Sequence, residues 1–240
     1  LAESVALEHG SSHPGLQHHF ENMEQQREAG TLGMWVFLVT EIMFFGGMFF
    51  AYTLYRSLYP MEFASASNHL DLTLGTINTA VLILSSFTMA VGVYSSQIGK
   101  NRNLVISLGL TIALGLVFLG IKAVEYYQKY VDHLIPGKLI PGNPFNPSGV
   151  HLLPGANPLK VEMFYWIYFA MTGMHAIHMI IGVGILSVLL YNAIKKRYGP
   201  EYHSPIEVSG LYWHFVDIIW IFLFPLLYLL GRHFEHGGGH

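Results

Sequence analysis

Five mostly apolar stretches of about twenty residues or more, at 33–56, 73–96, 104–124, 162–191 and 210–231, restrict this chain to a membrane fold. A helix needs about 20 such residues to cross a hydrocarbon core of roughly 30 Å, and each stretch ends in polar, Gly or Pro signals. Composition agrees: 52% of the 240 residues are hydrophobic, 11% are charged and the mean hydropathy is +0.41, whereas soluble domains carry roughly 25% charged residues. No β-barrel alternation competes. The expected fold is an all-α, polytopic membrane bundle of five transmembrane helices. It forms one membrane domain over 33–231, between a polar amino-terminal segment, 1–32, and a short tail, 232–240.

Several function classes drop out at once. The chain has no Cys, which removes disulfides, iron–sulfur clusters, thiolate metal sites and cysteine nucleophiles. A net charge of -3 with scattered Lys and Arg offers no basic stripe for nucleic acid. The polar start lacks the charged-then-apolar pattern of a signal peptide. The one long loop, 132–160, holds Pro136, Pro141, Pro144, Pro147, Pro154 and Pro158, so it is not helical throughout, and a loop of this length often contacts a partner.

Orientation follows from basic residues in short loops. The second and fourth loops carry Lys100, Arg102, Lys195, Lys196 and Arg197, against Arg56 near the first loop and Arg232 after the last helix. The amino terminus is therefore expected on the cytoplasmic side, with the carboxyl terminus and the Pro-rich loop outside. Lys129, Lys138 and Lys160 oppose that count.

An ionisable group at mid-membrane is costly unless it faces protein or water, so each one is a candidate site. Glu41 lies in TEIMFFGGMFF of the first helix, His175 and His178 in GMHAIHMIIG of the fourth, and His214 and Asp217 in YWHFVDIIW of the fifth. At about 1.5 Å per residue, Glu41 and Asp217 sit roughly 5 Å to the cytoplasmic side of centre and His178 within about 3 Å of it. His175 and His178 project within about 60° of each other, so the pair is expected to look into one neighbouring helix. His214 and Asp217 also share a face, which would let the carboxylate accept from the imidazole. Lys122 and Glu125, three apart at the outer end of the third helix, read as an interfacial pair with a snorkelling Lys.

Three readings of the histidines stay open: metal or haem ligands, hydrogen-bonded structural groups, and proton or lipid contacts. A ferritin-like di-iron site needs Glu-x-x-His on two helices and a zincin needs His-Glu-x-x-His; neither occurs. His178 and His214 could face each other across one haem, but they differ by about 7 Å in depth. Glu41 reads either as a hydrogen-bonding acid tying the first helix to the fourth or as a proton-handling group. Together Glu41, His175, His178, His214 and Asp217 make the expected buried polar centre, proton or lipid related, with no catalytic, cofactor or metal-ligating residue assigned.

The segments LGMWVFLVTEIMFFGGMFFAY, INTAVLILSS, FYWIYFAMTGMHAIHMIIG and YWHFVDIIWIFLFPLLYLLG, in this order, resemble subunit III of the haem–copper respiratory oxidases, and GLVFLGIKAVEYY resembles that family's segment ending in Glu-Tyr. The resemblance is to the five-span form, without the first two of seven spans. It implies a non-catalytic subunit of a proton-pumping terminal oxidase that passes electrons from cytochrome c or a quinol to dioxygen, in a bacterial inner membrane. Haem and copper would reside in partner subunits I and II, with phospholipid bound in a cleft and proton uptake supported from this chain. Glu41 matches the family's buried carboxyl near that cleft, His175 and His178 its paired histidines, and His214 and Asp217 residues of its last helix. The Pro-rich loop departs from the family and is expected to dock another redox complex. Two rivals remain: an accessory subunit of a nitric oxide reductase, separable by its partner chains, and a self-sufficient haem-binding quinol cytochrome, separable by a Soret band.

Overall fold

The computed structural model describes residues 20–137, 144–199, 202–229 and 231; most of the amino-terminal segment, the tail 232–240 and loop residues 138–143 lie outside them. The described chain is helical, and five helices are long and apolar enough to cross a membrane. They are α1 (Met23–Leu58), α3 (Leu72–Gln97), α4 (Asn101–Val131), α5 (Pro158–Ile194) and α6 (Ser204–Phe224), the last continuing through a π-helical turn, Pro225–Leu229. A short helix, α2 (Pro60–Asn68), lies between α1 and α3.

Local chemistry sets the boundaries. Asn22 accepts from Gln25 N at 2.8 Å, Asp71 from Thr73 N at 2.8 Å and Leu74 N at 3.2 Å, and Asn157 from Leu159 N at 3.0 Å; these side-chain oxygens satisfy amides that a helix start leaves unpaired. α3, α4 and α5 all end with paired carbonyl-to-amide closures across a left-handed residue, Lys100 N to Ser95 O, Leu134 N to Lys129 O and Arg197 N to Asn192 O. Gly99 supplies that conformation after α3, but His133 and Lys196 supply it after α4 and α5, at φ 57° and 54°. Without a glycine signal there, α4 runs seven residues past the end expected at 124.

Four helices form the core and one leans on it. α3 packs on α4 and α6, and α5 also packs on α4 and α6, while α1 meets α5 and α6 along one edge and buries only Leu38, Phe45 and Tyr52. Between lipid-solvated helices no hydrophobic force operates, so close backbone approach and shape do the joining. Trp213 of α6 is the wedge: its ring meets Gly115 of α4 on one side and Gly182 of α5 on the other, where an added Cβ would stand 2.8 and 2.9 Å away. Its indole N–H donates to Ser85 of α3 at 3.0 Å, so one side chain touches three other helices.

Gln97 at the end of α3 donates to Glu207 in α6 at 2.6 Å; Lys100 and Arg102 at the start of α4 and Lys195 at the end of α5 make this the basic end of the bundle. At the opposite, proline end, α2 is tucked beneath the bundle. Ser67 donates to Leu227 O at 2.6 Å and Tyr52 to Leu226 O at 2.6 Å, taking up carbonyls freed by the π-turn. The described parts of the long loop fold back on this chain. Leu153 N donates to Ser65 Oγ at 2.9 Å, Asn157 N to Glu62 at 3.2 Å and Gly137 N to Glu162 at 2.5 Å, with Leu134 and Val150 buried.

Candidate functional site

The five expected polar residues do not converge on one centre; the bundle distributes them among three places. Glu41 of α1 and His178 of α5 meet at 3.1 Å between Oε2 and Nε2. Their side chains are 18% and 12% exposed, and Phe45 covers the imidazole edge-on at 5.3 Å. His178 Nδ1 stands 2.8 Å from the carbonyl oxygen of Met174. A carbonyl only accepts, so Nδ1 carries a proton, and Nε2 faces the carboxyl. Two states satisfy this geometry: a protonated Glu41 donating to a neutral imidazole, or a carboxylate accepting from an imidazolium. Each holds one proton between the two side chains. Tyr212 of α6 donates to His178 O at 2.8 Å, so all three helices meet at this point.

His175 turns the other way, which corrects the expectation that both histidines look into one neighbour. It is 1% exposed and lies between Phe118 of α4 and Trp220 of α6, with ring centroids 5.4 and 5.2 Å away. Neither ring nitrogen has a hydrogen-bond partner. A 60° difference around α5 is enough to send His178 to α1 and His175 into the α4–α6 interior.

His214 and Asp217 share a face of α6, yet they do not pair. His214 Nδ1 is 2.7 Å from Ser86 Oγ of α3, and the Asp217 carboxyl, 2% exposed, is buried beside the same Ser86.

The largest correction concerns Lys122 and Glu125. Their side chains are 4% and 1% exposed and their charges meet at 2.9 Å, so this is a buried ion pair and the Lys does not snorkel. Tyr168 of α5 and Tyr228 of the π-turn both donate to Glu125 Oε1, at 2.7 and 2.5 Å. The Lys122 ammonium lies 3.2 and 3.1 Å from the same two hydroxyls and between 5.0 and 5.8 Å from the ring centres of Tyr126, Tyr168, Trp220 and Tyr228. Buried charges persist when paired, hydrogen-bonded and placed over aromatic faces, and this cage supplies all three. The sequence signal was present in Lys-x-x-Glu-Tyr-Tyr, but ending the helix at 124 put Glu125 at the interface. Extension to Val131 moves the pair about two turns inside the helix.

Beyond Glu125 a cavity of about 360 Å³ opens at the proline end, lined by His69, Asp71, Lys129 and Asp132 among others. Lys129, also buried, donates to His69 O at 3.1 Å. Burial, and then the neighbouring Lys129 charge, hold His69 below its ordinary value, with Asp132 opposing them. Among the described residues no group of three or more His, Asp or Glu side chains converges as a metal ion would need.

Comparison with known proteins fits this architecture. The family model described as cytochrome c oxidase subunit III matches residues 17–133 and 157–232. All five spanning helices fall almost wholly within the matched segments; most of the long loop falls between them. A cytochrome c oxidase subunit 3 from Thermostichus vulcanus is 30% identical over 230 residues, covering 95% of this chain and 94% of that protein. A quinol oxidase subunit 3 from Bacillus subtilis is 29% identical over 232 residues, covering 93% and 96%. The cytochrome c oxidase subunit 3 of Cyprinus carpio is 32% identical over 206 residues, covering 83% of this chain and 69% of its own length. With the family model running through every spanning helix, this chain belongs to the cytochrome c oxidase subunit III family.

Proposed function

We propose that the chain serves as the non-catalytic subunit III of a proton-pumping haem–copper terminal oxidase, stabilising the catalytic subunit and supporting proton uptake. Electrons would pass from cytochrome c or a quinol to dioxygen through haem and copper held by subunits I and II. The relatives described above include subunits of both cytochrome c and quinol oxidases, so family membership supports the reaction class and leaves both donors open. The observation that carries the proton role is the Glu41–His178 contact at 3.1 Å on the α1–α5 edge of the bundle. Its partial exposure suits exchange with a partner subunit, water or a phospholipid headgroup.

The basic end is assigned to the cytoplasm of a bacterium, with the protein in the inner membrane. The Pro-rich loop then faces outward. Because its inner side is occupied by Ser65, Glu62 and Glu162, docking of another redox complex would use exposed positions such as Ser148 and His151.

Glu41→Gln tests the reading in the purified complex. Gln keeps shape and hydrogen bonding but cannot exchange the proton, so assembly, haem content and initial electron transfer should stay near wild type. Protons taken up per electron, or activity during sustained turnover, should fall. Immediate loss of haem or copper would refute the non-ligand assignment, and unchanged proton uptake and durability would remove the proton role.

A further inference from the structure

The Lys122–Glu125 pair lies inside the bundle, yet Glu125 also lines the cavity of about 360 Å³ at the proline end, together with His69, Asp71, Gln128, Lys129 and Asp132. Hydrocarbon in this space would leave the ionisable walls without partners. Water suits them, and at about 30 Å³ per molecule there is room for several. The rim is open, with the side chains of His69 and Asp132 26% and 44% exposed.

Glu125 sits six residues, about 9 Å, inward from Val131 at the end of α4. Lys129 stands one turn outward on the same face. It is buried, on a flexible four-carbon stem; its ammonium donates to His69 O at 3.1 Å and also interacts with the charges of Glu125, Asp132 and Asp71. Glu125 itself is 1% exposed, so the floor of the cavity is closed in this arrangement. The other titratable groups against Glu125 are Lys122 and Tyr126 of α4, Tyr168 of α5 and Tyr228 of the π-turn.

Toward the basic end the interior is shut. Leu82 and Phe118 are buried, and the Trp213 ring fills the space between Gly115 and Gly182. Water entering from the proline end would meet the ion pair and stop there, so the bundle would not leak protons across the membrane.

We propose that the cavity is a solvent entry, gated by the Lys129 side chain, through which water at the proline end exchanges protons with the buried Lys122–Glu125 pair. When Lys129 swings off the His69 carbonyl, cavity water reaches the carboxylate. A hydronium then gives its proton to Glu125 and leaves as water, the Lys122 ammonium keeps its own proton, and the reverse step returns the charge. The site is separate from the Glu41–His178 contact, and its facing the outer side rests on the orientation proposed above.

Radiolytic hydroxyl labelling of the detergent-solubilised complex tests the entry, because a radical formed from water marks side chains that water touches. With water enriched in oxygen-18 added just before the X-ray pulse, Tyr168 and Tyr228, both fully buried, should carry the heavy oxygen. Trp213, equally buried and on the far side of the pair, should not. No label on either tyrosine, label without the heavy isotope, or equal labelling of Trp213 would each overturn the proposal. Losing the Lys129–His69 hydrogen bond in Lys129→Ala should raise the tyrosine labelling about fivefold, and no rise would remove Lys129 as the gate. Gln128 is exposed on the cavity wall and the chain has no Cys, so Gln128→Cys capped with a bulky maleimide blocks the mouth without touching the core. Capping should abolish the tyrosine labelling seen before it; unchanged labelling would refute the cavity as the entry. Both ends of the bundle are accessible in detergent, so an inverted orientation leaves these outcomes unaltered, and a loss of proton uptake in Glu41→Gln is read separately.

Discussion

Lys122 and Glu125 show how one buried pair constrains a whole bundle. Glu125 draws Tyr168 and Tyr228 from two other elements, and the ammonium occupies the space between four aromatic rings. The attraction between the charges offsets a desolvation cost of several kcal/mol per ion, and removing one partner leaves the other uncompensated. Glu125→Leu should therefore destabilise the chain by about 3–5 kcal/mol, whereas Lys122→Met combined with Glu125→Leu should cost less than either change alone. Thermal unfolding in detergent micelles measures the difference; a double variant that loses as much as the sum of both singles would mean that the charges contribute independently. At Glu41 and His178 the constraint is different, because the pair is less enclosed, with side chains 18% and 12% exposed.

At the scale of elements, Trp213 joins α6 to α4 and α5 through contacts that only glycines permit. Gly182→Ala would place a methyl 2.9 Å from the indole and 3.1 Å from Tyr212, two rings that cannot both give way. We expect a loss of about 1–3 kcal/mol, as overpacking typically costs, with partial recovery when Trp213→Phe is added. Unfolding midpoints of the two variants decide this. The proline end has its own sensitivity. The folded chain holds His69 below the ordinary value of 6.5, so on acidification the unfolded chain takes up that proton first. Stability present above about 6.5 is lost as pH falls through that value toward the lower folded one. Unfolding midpoints between pH 7.5 and 5 should drop, and less so in His69→Gln; equal slopes in the two proteins would remove His69 from the effect. The five spans were legible because hydrocarbon thickness dictates their length and apolar character. The helix ends were not, since His133 and Lys196 close α4 and α5 in a conformation usually marked by Gly. α2 was missed because PMEFASASN carries no apolar run, and its helix is fixed by tertiary bonds such as Ser67 to Leu227 O. Among site residues, Glu41 and His178 could be matched in depth from sequence, but their facing could not. Lys122 and Glu125 were visible as a pair, while Tyr168 and Tyr228, 43 and 103 positions from Glu125, were not.

For the whole molecule, the unequal ends carry the topology. Counted along the sequence, Lys129, Lys138 and Lys160 dilute the asymmetry between the ends, and the fold withdraws the first of them. Lys129 is buried with its amine on the His69 carbonyl, whereas Lys160 stays exposed, 4.3 Å over the Tyr59 ring. Lys100, Lys195, Lys196 and Arg197 remain exposed at the basic end; with that end at the cytoplasmic face, as proposed, an anionic inner leaflet would attract each charge by about 1 kcal/mol. The chain has no Cys, so single cysteines report sidedness without background. Ile98→Cys, 42% exposed beside the α3–α4 turn, should react with an impermeant maleimide only in inverted membrane vesicles. Ser148→Cys, exposed in the long loop, should react in intact spheroplasts. The reverse pattern would invert the molecule, placing the loop inside and the basic end outside. Labelling of both positions from one side would contradict the antiparallel order of α3 to α6.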